Sequence, residues 1–174
     1  SAGRNNLQSA GAKPISTRSF RSATSTPPDG RNVPPMLPLP VRANTTLADL
    51  TSVSTRGWMA PDRERESFEG DRERLGIRAS SPDQGTWTLS GGNQQKIVLA
   101  KWLRTGPRVL LLDEPTRGID VGAKTEIYKL MRALAEDGLA VVFASSDLTE
   151  VVGLAHRVVV CRGGEVVGEV VSHG

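Results

Sequence analysis

Two short apolar runs, separated by one amphipathic segment, constrain this chain more than any other feature. Val109-Leu110-Leu111-Leu112 shows no polar alternation, as expected of a strand covered on both faces, and Leu139 to Ala144 repeats the pattern. Between them, Val121 to Glu136 spaces Ile127, Leu130, Met131 and Leu134 along one helical face, and Gly138 stands where a glycine ends a helix. Strand, helix and strand with short links predict a parallel α/β core. Around it, Gly92 to Leu103 forms a helix stopped by Gly106-Pro107, and Asp147 to Leu154 a short one. Arg157 to Cys161 and Glu165 to Val170 form a hairpin across Gly163-Gly164.

Size and charge narrow what such a core can serve. With 174 residues the chain suffices for one domain. The single cysteine, Cys161, excludes an internal disulfide and favours a reducing, cytoplasmic setting. No run approaches the ~18 to 20 apolar residues of a membrane span, and Ser1 to Pro40 lacks the layout of a signal peptide, so a membrane role must come through a partner. The net charge of +3 is uneven: Ser1 to Ala60 holds 7 basic and 2 acidic residues, the remainder 15 and 17. The cations of that leader are scattered without aromatic interleaving, so it is expected to be a solvated segment and not a nucleic-acid surface. Its Pro27-Pro28, Pro34-Pro35 and Pro38-Leu39-Pro40 runs keep it from helix. Three regions follow. Residues 1–44 are basic, Pro/Ser-rich, and either poorly ordered or a remnant of an upstream core. Residues 45–103 form a helical subdomain, with Leu47 and Leu50 on one face of Thr46 to Leu50 and a charged, solvated helix from Asp62 to Arg74 carrying i,i+4 pairs. Residues 104–174 form the sheet region.

The chemistry concentrates in two places. In Leu89-Ser90-Gly91-Gly92-Asn93-Gln94-Gln95-Lys96, a serine at the N-cap position and two glycines open a helix, so unshielded backbone N–H groups converge at a positive helix end. That geometry binds anions, phosphate most naturally, with the Ser90 hydroxyl as a further donor; the alternative is an ordinary Ser-Gly-Gly turn. The run Val109 to Leu112 then places Asp113 and Glu114 just past the carboxyl end of a buried strand, where open α/β sheets bind ligands. In a P-loop NTPase the first would serve Mg²⁺ and the second the attacking water.

These residues resemble the ATP-binding subunits of ABC transporters. LSGGNQQKIVLAKWL is similar to the family signature with its helix, and VLLLDEPTRGIDVGAK to the Walker B strand and D-loop. GGNQQK, DEPTRGIDVGAK and SSDLTEVVGLAHRVVV together resemble the second nucleotide-binding half of ribose-, xylose- and galactose-type importers, most densely from Leu75 to Gly168. The resemblance implies a partial P-loop NTPase of the ABC ATPase kind: a parallel sheet core, a helical subdomain and a C-terminal β-hairpin. It implies ATP and Mg²⁺ as cofactors. Ser90, Gly91, Gly92, Asn93 and Gln94 would meet the γ-phosphate of an ATP held by the opposite half, with Asp113 on the metal and Glu114 on the water. Gly118-Ile119-Asp120 would form the D-loop at the interface. The implied partners are a second nucleotide-binding domain in cis or trans, transmembrane permease subunits and, indirectly, a periplasmic or extracellular sugar-binding protein. The implied place is the cytoplasmic membrane face, peripherally.

The chain departs from that pattern in three ways. No G-x-x-x-x-G-K-[ST] occurs, so the chain is expected to be a fragment or truncated product that does not hold ATP tightly alone. The switch position, His in most ABC ATPases, is Ser146, which carries no positive charge. The glutamine loop has no recognisable counterpart. Two other functions share the motifs: a non-catalytic remnant, and an ABC ATPase of DNA maintenance, against which stand the DEPTRGID wording and the absence of heptads. His156 and His173, 17 residues apart, make no zinc set, and His156 is expected at a helix end or the surface. Cys161 is expected as a small buried hydrophobe, and Trp58, Trp87 and Trp102 as packing residues.

Overall fold

Leu110 and Leu112 fill the centre of the fold from the strand that organises it, β4 (Val109–Asp113). The computed structural model describes residues 20–22, for their backbone alone, and 36–171. β1 (Phe20–Ser22) runs parallel to β4 on one side, Phe20 opposite Val109, and β5 (Ala140–Ala144) runs parallel on the other, Val109 opposite Ala140. The sheet order is β1-β4-β5, so the predicted parallel α/β core is present. The rest of the basic leader, as far as residue 35, and His173 lie outside the described residues.

The helices follow from their ends as much as from their faces. α1 covers Val41–Thr46, α2 Pro61–Leu75, α3 Gly91–Leu103, α4 Val121–Glu136 and α5 Leu148–Leu154. α4 has the predicted bounds: the Asp120 carboxylate accepts from Ala123 N–H at 2.9 Å, and Gly138 takes φ +90 beyond its end. Ile127, Met131 and Leu134 are buried, and Leu130 packs beside them. α3 is inside on all sides of one turn, with Ile97, Val98, Leu99 and Ala100 each at most 1% exposed. It joins Phe68 and Leu75 of α2, Val41 of α1 and Leu110 of β4 in a single core.

Several expectations change. The helix predicted from Thr46 to Leu50 lies earlier, in α1, and Leu50–Val53 is a separate 3-10 turn. The reason is Asp49, whose carboxylate accepts from Thr51 Oγ1 at 2.6 Å and Ser52 N–H at 3.3 Å and starts a new turn. Inside α1, Asn44 is buried and satisfied: its amide nitrogen donates to the carbonyls of Leu37 and Leu39, and its oxygen accepts from Leu37 N–H. α2 is more than a solvated face. Glu64 is buried, taking Arg42 and the Thr46 hydroxyl, while Arg104 reaches across to Asp71 and to the Ser67 carbonyl, both at 2.6 Å. The ion pairs within α2 are i,i+3, Asp62 with Arg65 and Glu69 with Arg72.

β5 was expected to be covered on both faces; Val141 and Phe143 pack inward, and Val142 on the other face is 54% exposed. β2 (Ser54–Thr55) and β3 (Trp58–Met59) form a small hairpin. Trp58 on it and Trp87 are 81% and 65% exposed, so only Trp102 packs as expected. β6 (Arg157–Arg162) and β7 (Glu165–Val171) form the predicted hairpin, with Gly163 and Gly164 at φ +61 and +83 supplying a turn that needs positive φ twice. Cys161 on it is exposed, against the expectation of a buried thiol, and His156 is exposed as expected. Among the described residues no helix is long and apolar enough to cross a membrane.

Candidate functional site

The tip of α3 is set by three residues. Ser90 occupies the N-cap position with φ −61 and ψ 154, but its hydroxyl caps no backbone N–H. Its oxygen instead accepts from Asn93 Nδ2 at 2.9 Å, and Asn93 is held in turn because its Oδ1 accepts from Arg78 N–H at 2.8 Å. With its oxygen accepting from Asn93, the Ser90 hydroxyl still has a proton to donate. Ser90 and Gly91 are exposed, and the first amides of a helix have no partner within it. Asn93 and Gln94, expected at the phosphate, are occupied locally: Gln94 Nε2 donates to the Leu89 carbonyl at 3.0 Å. Sequence spacing shows neither engagement.

The two glycines differ. A Cβ on Gly91 would find its nearest neighbours, Gly118 O and Ile119 Cγ1, at 3.8 Å, so the tip is open there. A Cβ on Gly92 would lie 2.6 Å from Ala123 Cβ, so Gly92 serves the close packing of α3 on the start of α4. The signature tip is thereby seated on the Gly118–Ala123 segment. Asp120, expected at an interface, is exposed and caps α4.

A second group gathers at the carboxyl ends of β4 and β5. Asp113 ends β4 and is exposed. Glu114 follows at φ +48, left-handed for a residue with a side chain, a conformation costing about 1–3 kcal/mol and kept where surroundings over-determine it. They do so here: Glu114 N–H donates to the Ala144 carbonyl, and Glu114 Oε1 accepts from Ser146 N–H, both at 2.9 Å. The structure therefore brings Glu114 and Ser146 together, through the serine's backbone amide. Asp147 next to it caps α5 and pairs with Lys124 at 3.1 Å. That lysine's hydrogen bond holds the Asp147 carboxyl below its ordinary range and raises its own pKa.

Sequence reasoning missed two residues that fasten these loops. Lys96 is buried and donates to the Gly76 carbonyl at 2.7 Å and to Glu126 Oε2 at 2.9 Å, tying the ends of α2, α3 and α4 together. Glu150 is buried, and its Oε2 accepts from the hydroxyls of Thr116 and Ser145. The spacing Asp147-x-x-Glu150 has the form of a capping box, which hides that inward turn.

An α/β domain with an amide-lined helix tip and an acid pair at a strand end suits a nucleotide-handling family, and the comparisons decide which. A family model described as "ABC transporter" matches residues 7–117. The chain belongs to the ABC transporter family. That match begins well upstream of Leu75, where the dense motif resemblance starts. This ABC chain is 50% identical over 125 residues to the ribose import ATP-binding protein RbsA of Halalkalibacterium halodurans, covering 72% of this chain and 25% of that protein. It is 47% identical over 167 residues to the xylose import ATP-binding protein XylG of Burkholderia cenocepacia, covering 93% and 32%. The chain thus spans about a quarter to a third of the length of the curated relatives it matches. Among solved structures, the dimeric post-hydrolysis state of the ATP-binding cassette MJ0796 bound to ADP and Pi matches with TM-score 0.65 at 26% identity, over 80% of this chain and 60% of that one. A nucleotide-free ATP-binding cassette from an ABC transporter gives 0.72 at 18% identity, over 90% and 62%, a likeness of fold alone. The ABC ATPase fold with its parallel core is therefore the fold of this chain.

Proposed function

We propose that this chain is part of the ATP-binding subunit of a monosaccharide importer, related to its second nucleotide-binding domain, and that it completes an ATP site held by another domain. The observation that carries this reading is the exposed tip at Ser90 and Gly91, open beyond a single small hydroxyl and braced from behind by Gly92 on Ala123. The tip offers a hydroxyl donor and free amides to a terminal phosphate while no side chain stands in front. The helical region 45–103 carries that tip, and 104–174 supplies the acid pair.

The residues suit ATP with Mg²⁺. Asp113 offers one exposed carboxylate, and Mg²⁺ at nucleotide sites takes one or two carboxylates beside phosphate oxygens and waters. Bound there, the metal neutralises charge on the phosphates. Glu114, held at its unusual φ by Ala144 and Ser146, would accept a proton from water at its free carboxylate oxygen. Ser146 brings an amide but no cation, so the site around this chain's own Glu114 is the weaker one, and donating Ser90, Gly91 and Gly92 across the interface is its larger contribution. Asp120 and the Gly118-Ile119 turn would border that interface. The partners would be the second nucleotide-binding domain, the permease at the cytoplasmic membrane face and, through it, a sugar-binding protein.

The test is ATPase rate in the full assembly. Ser90→Arg is expected to raise the barrier by the ~2.7 to 4 kcal/mol that losing one transition-state donor costs, and to lower the rate more than Glu114→Gln does. An equal or reversed ranking overturns the reading.

A further inference from the structure

Two loops leave the carboxyl ends of β4 and β5 side by side, one carrying Glu114 and the other Ser146, and a single buried carboxylate joins them. Glu150, 2% exposed on α5, accepts at Oε2 from Thr116 Oγ1 at 3.2 Å, out of the first loop, and from Ser145 Oγ, out of the second. Ser145 Oγ in turn accepts from Asp147 N–H at 3.0 Å, which fixes the backbone on the far side of Ser146. Ser146 N–H is then left pointing at Glu114 Oε1, 2.9 Å away. Thr116 is itself 1% exposed, so its hydroxyl has no water to turn to.

We infer that Glu150 is a positioning residue that holds the Glu114 loop and the Ser146 loop in register, and so sets where the Glu114 carboxylate sits. The inference rests on the proposed role of Glu114 toward ATP and adds to it a residue that touches no nucleotide. The other carboxylate oxygen, Oε1, has no hydrogen-bond partner among the described residues. A glutamine can therefore keep both bonds through its carbonyl oxygen; its amide replaces a buried oxygen that makes no bond, and the two N–H donors it buries there lower global stability without cutting either loop bond. An alanine loses both. A role resting on charge would fail in both variants, whereas a role resting on those two bonds fails only in the second.

Amide hydrogen exchange on the full chain, read residue by residue, tests this. Relative to the unsubstituted protein, Glu150→Ala is expected to speed exchange at Ser146 and Asp147 by about fivefold or more beyond any change at Val98 and Leu99 of α3, and Glu150→Gln to leave that ratio within about twofold. If Glu150→Ala does not fold, Thr116→Val and Ser145→Ala, each removing one hydroxyl, take its place with the same expectation at Ser146. Equal exchange at Ser146 in every protein overturns the inference, as does Glu150→Gln behaving like Glu150→Ala, or faster exchange in Glu150→Ala spread evenly into α3. None of these outcomes alters the ATPase ranking of Ser90→Arg and Glu114→Gln, so failure here leaves the composite-site reading standing, and failure there leaves the loop register intact.

Discussion

Gly91 and Gly92 adjoin in the chain yet answer to different constraints. Because a Cβ on Gly92 would meet Ala123 Cβ at 2.6 Å, Gly92→Ala must push α3 off α4 and is expected to cost about 1–3 kcal/mol of stability. Gly91→Ala has open space and should change stability by less than about 0.5 kcal/mol, as surface substitutions do. Urea midpoints of the two variants check the contrast. The sequence alone could locate this tip, since Ser-Gly-Gly before a helical period is a local pattern. It could not divide the glycines between anion and packing, because Ala123 lies about thirty residues away and only the fold brings it near. For the same reason spacing alone makes Asn93 and Gln94 look like ligand groups, whereas in the fold Asn93 accepts from Arg78 N–H and Gln94 donates to the Leu89 carbonyl.

Among the elements, α3 depends on a lysine that its own amphipathic pattern would place in solvent. Lys96→Met leaves the Gly76 carbonyl without its donor, and losing such a hydrogen bond costs about 0.5–1.5 kcal/mol. The same variant should release Glu126, whose carboxyl lies below its ordinary range first because Lys96 donates to it and then because of that charge, with Arg78 adding less. A carboxylate depressed in the folded state stabilises the fold above its unfolded pKa, about 4.3 for glutamate, and that contribution is lost as pH falls through the depressed value. Carbon-detected NMR titration should therefore show Glu126 moving up in Lys96→Met, with less of the stability lost in acid. The β2–β3 hairpin offers an independent check: Arg56 and Gly57 both take positive φ, at 53 and 84, so Arg56→Asn should gain about 0.5 kcal/mol. Elements with a strong period and a local stop are legible in the sequence, α4 with its bounds and each strand of the β6–β7 hairpin to within one residue. The 3-10 turn after α1 was not, because the Asp49 side chain competes with the helix at a point where apolar spacing alone still favours it.

Across the whole molecule, apolar spacing proved a poor guide to exposure. Val142 on β5 and Val166, Val167 and Val170 on β7 are more than half exposed, although each belongs to a run that looks like core. Burial depends on which layers lie alongside, and the solved MJ0796 cassette has a further 40% of its length outside the match with this chain. The family and its motifs are legible all the same because they sit in contiguous segments. In the function proposed here no single segment suffices: the tip would offer donors and the acid pair a base only with a nucleotide between domains. The most direct measurement is a structure of the chain assembled with a partner domain that holds ATP through a GxxxxGK[ST] loop. In it the Ser90 hydroxyl and the Gly91 amide are expected at hydrogen-bond distance, about 3 Å, from the γ-phosphate. An ATP-bound assembly in which those two groups face solvent, with the phosphate met by other residues, would contradict it.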